Sequence, residues 1–221
     1  MKRDVSFEEI SDGKRYGLND LVKTDCNNCT GCSKCCQGMG NSIILDPLDI
    51  HRLQTGLGLT FEELLENYIE LNPVDGIILP NIKMTKDKEQ CSFLNNEGRC
   101  SVHEIRPGFC RLFPLGRIYE EDSFSYFLQV HECPKPNKTK TKVYKWIDTV
   151  NPKEYDHYIS LWHYFLVDVQ IVIANLDNQD IVKDLTLYVL KSFFMKPYPE
   201  NFYHGFEKRL VEAREILEDC K

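Results

Sequence analysis

Five cysteines lie within eleven residues of the chain, and they are the side chains best suited to chemistry: Cys26, Cys29, Cys32, Cys35 and Cys36. The first four recur at every third position, so a winding loop could turn several thiolates toward one centre. Thiolates are preferred ligands of zinc and of iron–sulfur clusters. The pattern therefore predicts a metal centre held by cysteine.

A second set of cysteines is spaced more widely, at Cys91, Cys100, Cys110 and Cys133. Short loops in a compact domain could bring these thiols back to the first set, which gives nine candidate ligands. One tetrahedral zinc or one cubane cluster needs only about four. We therefore expect either more than one centre or some cysteines that serve another purpose.

Two arginines, Arg106 and Arg111, flank Cys110 and are candidate cofactor-binding residues. A guanidinium in this place would lower the pKa of a thiol and offset the negative charge of a thiolate-ligated centre. In the alternative, both arginines pair with carboxylates such as Asp46 or Asp49 and tie a loop to a helix. The sequence leaves both roles open.

The spacing of the first set favours an iron–sulfur cluster. Cys29, Cys32 and Cys35 follow the C-x2-C-x2-C rhythm of ferredoxins, which suits a [4Fe–4S] cubane. The remote Cys-Pro pair of ferredoxins has a counterpart in Cys133-Pro134. An iron–sulfur cluster, of the 4Fe-4S type, is therefore the favoured cofactor.

Zinc is the alternative cofactor. Zinc is commonly held by two separated C-x2-C pairs, each of which supplies two ligands. Cys26 with Cys29, and Cys32 with Cys35, can be paired in this way. His131 is a further candidate ligand in a mixed site.

The composition is that of an acidic globular protein. The chain has 221 residues, of which 42% are hydrophobic, and a formal net charge of −7. An acidic chain has no overall attraction for nucleic acid. The start of the chain lacks the apolar stretch of a signal peptide, and residues 159–174 are too few and too polar to span a bilayer. We therefore expect no nucleic-acid partner, no membrane segment and a cytoplasmic protein with reduced thiols.

Local signals divide the chain into short strands and helices. Asp46-Pro47 starts a helix that is expected to stop before Gly56, and Thr60 opens a capping box. The pattern also predicts strands at 42–45, 77–79 and 82–84, a hairpin of 115–119 with 124–130, and helices starting at Asn151-Pro152, at 181–195 and at 202–220.

The predicted fold class is α+β. We expect a lead-in segment at residues 1–25, an irregular cysteine-rich metal-binding domain with short strands and helices at 26–140, and a C-terminal helical extension at 141–221. The polar and basic run 134–142 is expected to be a solvated linker, with a docking strip for an acidic partner as the alternative.

Several motifs occur together in the cysteine-rich part: CxxCxxCC, then CxFL, then a CxxxxxRPxxCRxFP run. They comprise Cys29, Cys32, Cys35, Cys36, Cys91, Phe93, Leu94, Cys100, Val102, His103, Arg106, Pro107, Cys110, Arg111, Phe113 and Pro114. In this combination the chain resembles the YkgJ-type CxxCxxCC cysteine-cluster family, whose members are described as zinc- or iron-chelating proteins. The resemblance covers about residues 26–136 and departs from the family pattern in the extra Cys26 and in Val102-His103, where Ile-Tyr is usual.

Three functions fit these observations. The favoured one is a metal-binding protein for iron handling or electron transfer, with a protein or redox partner. The second is a cluster-dependent enzyme that modifies a protein side chain, as the flagellin lysine methylases with a similar cluster do; its pocket would lie between the two domains, beside the aromatic stretch from Trp146 to Phe165. The third is a zinc-binding structural or interaction module. The sequence names no catalytic residue.

Overall fold

A computed structural model describes residues 6–25, 32–87 and 89–220. Its helices are α1 (Phe7–Ile10), α2 (Pro47–Leu57), α3 (Phe61–Asn67), α4 (Gly108–Leu112), α5 (Val143–Ile147), α6 (Pro152–Asn175), α7 (Gln179–Leu190) and α8 (Phe202–Asp219). Its strands are β1 (Leu21–Asp25), β2 (Ile69–Val74), β3 (Ile77–Ile82), β4 (Leu115–Glu120), β5 (Ser123–Leu128) and β6 (Thr139–Lys142). The predicted α+β class with helices toward the C-terminus is confirmed.

Helices α2 and α3 both begin with the reciprocal side-chain bonds of a capping box. Asp46 accepts a hydrogen bond from the backbone N–H of Asp49 at 2.9 Å, and Asp49 accepts one from that of Asp46 at 3.1 Å. Thr60 and Glu63 form the same pair at the start of α3. Both predicted helix starts are therefore confirmed, because each depends on residues only three positions apart.

Helix α2 ends later than the sequence predicts. It continues through Gly56 and is capped by Gly58, whose φ of 67° is left-handed. A Cβ at position 56 would lie 2.4 Å from Cδ1 of Ile105. Gly56 thus permits the close approach of the 103–105 turn, which leads to α4, and does not end the helix.

The strands form three two-stranded antiparallel ribbons, β1–β6, β2–β3 and β4–β5. The β4–β5 ribbon is the predicted hairpin, and its turn residues Glu121 and Asp122 both have positive φ, as two-residue hairpin turns require. The strand predicted at 42–45 is reduced to a bridge between Ile44 and Asn81.

The β1–β6 ribbon joins two segments for which the sequence analysis expected no strand. Leu21 lies opposite Lys142, and Lys23 lies opposite Lys140. Val22 is buried on the other face. Residues 139–142 are therefore a strand and not simply a solvated linker, because main-chain pairing with a distant segment orders them.

The long helix α6 packs directly on α2. Tyr158 of α6 accepts a hydrogen bond from the backbone N–H of Leu48 and donates one to Asp46, both at 3.0 Å. Leu53 of α2 and Phe165 of α6 belong to one continuous buried cluster. The C-terminal helices therefore support the element that positions the cysteine-rich loops. None of the helices in the described ranges combines the length and the apolar character needed to cross a membrane.

Candidate metal centre

One cavity of about 360 Å³ collects most of the cysteines that the structure describes. Six thiols line it: Cys32, Cys35, Cys36, Cys91, Cys100 and Cys110. The cysteines of the first and second sets, far apart in the sequence, thus meet around one space. Their roles as ligands stay a prediction.

Backbone hydrogen bonds bring the two cysteine segments together. The N–H of Cys91 donates to the carbonyl of Cys36 at 2.8 Å, and that of Gly38 donates to the carbonyl of Glu89 at the same distance. Phe93 is buried and stacks on Tyr68 with ring centroids 4.7 Å apart. The aromatic residue of the CxFL motif therefore anchors its loop on the α3–β2 corner.

Cys110 is positioned by α4, whose first residue is Gly108. The N–H of Gly108 donates to Oδ1 of Asp49 at 2.7 Å, which fixes the start of α4 to the start of α2. A Cβ at position 108 would lie 2.4 Å from Oη of the buried Tyr155. Only glycine fits there, so the residue is needed to bring Cys110 to the cavity wall.

Burial and mutual repulsion raise the pKa of three thiols that face the cavity, those of Cys91, Cys100 and Cys110. Burial raises the pKa of Cys91 to about 11 and raises that of Cys100. The pKa of Cys110 is raised first by burial and then by the neighbouring Cys91 and Cys35. These thiols therefore lie within electrostatic reach of one another. A bound cation would reverse this effect and remove their protons.

Arg106 lies at the cavity wall next to two of these thiols. The hydrogen bond with Cys36 and burial raise the pKa of Cys35, and burial raises that of Cys100. The positive charge of Arg106 acts in the opposite direction on both thiols. One Nη atom lies 2.6 Å from Nε2 of His103 and 3.2 Å from the carbonyl oxygen of the same residue. The guanidinium is therefore held where it could offset the charge of an anionic centre.

Arg111 joins the 104–106 segment to the loop after α5 at the cavity wall. Its Nε donates to the carbonyl of Arg106 at 3.0 Å, and Nη1 donates to the carbonyl of Asp148 at 2.6 Å. Nη2 donates to the carbonyl of Glu104. The carboxylate of Asp148 lies 3.3 Å from Nη1. The proposed pairing of Arg111 with Asp46 or Asp49 was wrong, because the side chain turns toward the loop after α5.

The family to which these motifs belong is evident from a sequence comparison. The family CxxCxxCC, described as "putative zinc- or iron-chelating domain", matches residues 28–144. The chain belongs to this family. The match spans more than half of the chain and includes all six thiols of the cavity. No curated protein and no solved structure matches the chain.

The thiols of this CxxCxxCC domain suit zinc or iron–sulfur by their chemistry. Within residues 6–25, 32–87 and 89–220, however, no three His, Cys, Asp or Glu side chains meet the geometry of a metal site. The six thiols surround a space without converging on one point. The cysteine thiols are suitable ligands for a metal that prefers sulfur. The structure shows the cavity that these thiols line and does not show which of them coordinate a metal.

Four further candidate ligands lie elsewhere or are not described. Cys26 and Cys29 fall outside the described residues. Cys133 does not line the cavity, and its carbonyl accepts a hydrogen bond from Nζ of Lys138 at 2.9 Å. His131, the candidate mixed ligand, is exposed and also lies away from the cavity wall.

The sequence analysis expected Trp146 beside a pocket under the enzyme hypothesis, but it missed the other residues of the wall that β6 and α5 contribute. Thr141, Lys145, Trp146 and Asp148 line the cavity together with the cysteines. The indole N–H of Trp146 donates to the carbonyl of Phe113 at 3.1 Å, which holds α5 against the segment after Cys110. No local pattern points to these residues, since their place depends on the β1–β6 pairing that precedes α5.

Proposed function

We propose that this metal-binding protein holds an iron–sulfur cluster in the cavity, of the 4Fe-4S type, for iron handling or electron transfer. The observation that carries the proposal is the convergence of six thiols on one cavity in a zinc- or iron-chelating family. The proposed ligands are drawn from Cys26, Cys29, Cys32, Cys35, Cys36, Cys91, Cys100, Cys110 and Cys133.

Two features favour a cluster over a single zinc ion. A structural zinc site is closed, with four ligands about 2.3 Å from the ion when they are sulfur. Here six thiols surround about 360 Å³, which is more donors and more space than one ion uses. Arg106 and Arg111 also line this cavity, and their positive charge would offset that of an anionic thiolate-ligated cluster.

The state of the cysteines supports a reducing compartment. In the described part of the chain no disulfide joins any of the following cysteines: Cys32, Cys35, Cys36, Cys91, Cys100, Cys110, Cys133 and Cys220. Free thiols in this number are typical of the cytoplasm, where disulfides are rare. We therefore place the protein there.

The experiment that tests the cluster is metal and acid-labile sulfide analysis with an absorption spectrum, on protein purified without oxygen. About four irons and four sulfides per chain, with a broad band in the visible, are expected for one cubane. Stoichiometric zinc without sulfide would contradict the proposal and support the structural or interaction module instead.

A cluster-dependent enzyme is the second candidate, because one wall of the cavity carries no thiol. Thr141, Lys145 and Trp146 could contact a substrate there while the cysteines hold the cluster. Trp146→Ala would then leave the iron content unchanged and abolish turnover of a protein side chain. Loss of iron in this variant would instead assign Trp146 to the support of the metal centre.

A further inference from the structure

The β1–β6 ribbon carries strong positive charge in an otherwise acidic chain. Residues 134–147 contain five lysines and no acidic residue, whereas the whole chain has a net charge of −7. Lys140 and Lys142 of β6 are exposed, as is Lys23 of β1. The β1–β6 ribbon therefore carries three exposed lysines within nine residues.

The register of the ribbon places like charges face to face. Lys23 lies directly opposite Lys140, and Leu21 lies opposite Lys142. Like charges in directly opposed positions destabilise an antiparallel pair. No ion pair among the described side chains, which do not include that of Asp25, joins a carboxylate to Lys23, Lys140 or Lys142. An acidic surface bound on this face would relieve the repulsion.

An apolar side chain lies among these lysines. Leu21 is 56% exposed on the same face of the ribbon as Lys142. An apolar contact surrounded by charge is the usual arrangement of a protein–protein interface. Nucleic acid fits less well, since Leu21, Lys23, Lys140 and Lys142 offer no aromatic ring on which a base could stack.

The opposite face of the same strand reaches the candidate metal centre. Thr141 lies between Lys140 and Lys142, points to the other face as alternation in a strand requires, and lines the cavity. Lys145 and Trp146 of α5 continue that wall. A partner on the ribbon would therefore be separated from the cavity by one strand.

We infer that the ribbon face formed by Leu21, Lys23, Lys140 and Lys142 is a docking surface for an acidic protein partner. The docking does not depend on which metal the cavity holds. The further idea that the partner exchanges iron or electrons with the metal centre rests on the proposed function. The partner is recognised by clustered carboxylates and a small apolar contact, which the exposed lysines and leucine complement.

The test uses a fluorescein-labelled peptide rich in glutamate with one leucine, titrated with the full-length protein and followed by fluorescence anisotropy. The double variant K23E/K140E should weaken binding roughly tenfold or more, and about 300 mM salt should weaken wild-type binding strongly. The matched control K183E/K208E makes the same change in net charge at exposed positions of α7 and α8. It should change binding less than about twofold.

Three results would overturn the inference: no binding by the wild type, equal losses in both double variants, or tighter binding of an oligothymidylate of matched charge. The single variant K140E provides the check on folding. It places a carboxylate opposite Lys23 and should be no less stable than the wild type, yet should bind more weakly. Iron measured on every sample separates the two proposals, because peptide binding without iron contradicts only the proposed cluster.

Discussion

Oδ1 of Asp49 accepts a hydrogen bond of 2.7 Å from the backbone N–H of Gly108, although the two residues are 59 positions apart in the chain. The other carboxyl oxygen of Asp49 accepts from the backbone N–H of Asp46. Burial and the neighbouring Asp46 both raise the pKa of Asp49. One buried carboxyl group thus joins the start of α2 to the start of the helix that carries Cys110.

The first prediction concerns this carboxyl group. Asp49→Ala should lower the free energy of unfolding by about 2–3 kcal/mol, because it leaves the N–H groups of Asp46 and Gly108 without their acceptor in a buried place. Glu63→Ala is the matched control, since Glu63 has the same capping role at the exposed start of α3. It should cost about 0.5–1 kcal/mol. Urea unfolding followed by circular dichroism measures both, and equal losses would contradict the role of Asp49.

A second prediction tests the close approach at Gly108. Gly108→Ala should destabilise the protein by about 1–3 kcal/mol, because the new methyl group would overlap Oη of Tyr155. Tyr155→Phe removes that oxygen, and with it the hydrogen bond from Arg117, so Gly108→Ala should cost clearly less in the Tyr155→Phe background than in the wild type. Gly17→Ala is the control, since its methyl group would lie at an ordinary contact distance of 3.5 Å from Oδ2 of Asp20 and should change the stability by less than about 0.5 kcal/mol. An equal cost of Gly108→Ala in both backgrounds would rule out this overlap as the cause.

The sequence predicted well those features that depend on near neighbours. Asp46-Pro47, Thr60 and Asn151-Pro152 all mark helix starts. Asp46 and Thr60 cap a group three residues away, and Pro152 stands in the first turn, where its fixed φ favours the helix. The β4–β5 hairpin is equally local, since a two-residue turn fixes its register. Distance along the chain, more than the type of element, decided the success of these predictions.

Features that depend on distant partners were not predicted. The pairing of Lys23 with Lys140 joins segments on either side of the whole cysteine-rich region, and neither strand is apolar enough to be recognised alone. Asp148 has a left-handed φ of 46° and meets Arg111 across the cavity. Nothing near either residue in the sequence signals that contact. The cysteines, by contrast, are evident from spacing, which is why the thiol side of the cavity was expected and its other wall was not.

A third prediction concerns the pH dependence of stability. The pKa of Asp156 is raised to about 6, chiefly by burial, while its hydrogen bond from Tyr126 and the charge of Arg117 act in the opposite direction. A carboxyl group with a raised pKa contributes stability below its unfolded pKa of about 3.9 and loses that contribution as the pH rises through about 6. The loss reflects the cost of ionising a buried group.

Asp156→Asn removes this titration and keeps an oxygen that can accept from Tyr126. The variant should therefore gain stability relative to the wild type between about pH 4 and pH 7, by about 1–2 kcal/mol after allowance for partial exposure. Urea unfolding across this range measures the difference. Asp184→Asn removes an exposed carboxylate of α7 and should not reproduce the trend. A constant difference between wild type and Asp156→Asn would refute the assignment.

The last prediction tests the thiols themselves with single substitutions. Cys35→Ser and Cys110→Ser each exchange a thiol at the cavity wall for a hydroxyl, which is a much poorer ligand for zinc or an iron–sulfur cluster. Each variant should retain clearly less metal than the wild type after anaerobic purification. Cys220→Ser is the control, because this cysteine follows α8 and does not line the cavity.

The interpretation depends on separating ligand loss from unfolding. Both thiols are partly exposed but lie in different elements. Cys110 is in α4, so metal loss in its variant alone could follow from disturbed packing of that helix, whereas Cys35 lies in the short 3-10 turn Lys34–Cys36. Circular dichroism of each variant shows whether the helices persist. Metal loss in both variants with helices intact would assign both thiols to the centre. Unchanged metal in both would show that the six-thiol cavity is not where this CxxCxxCC domain binds its metal.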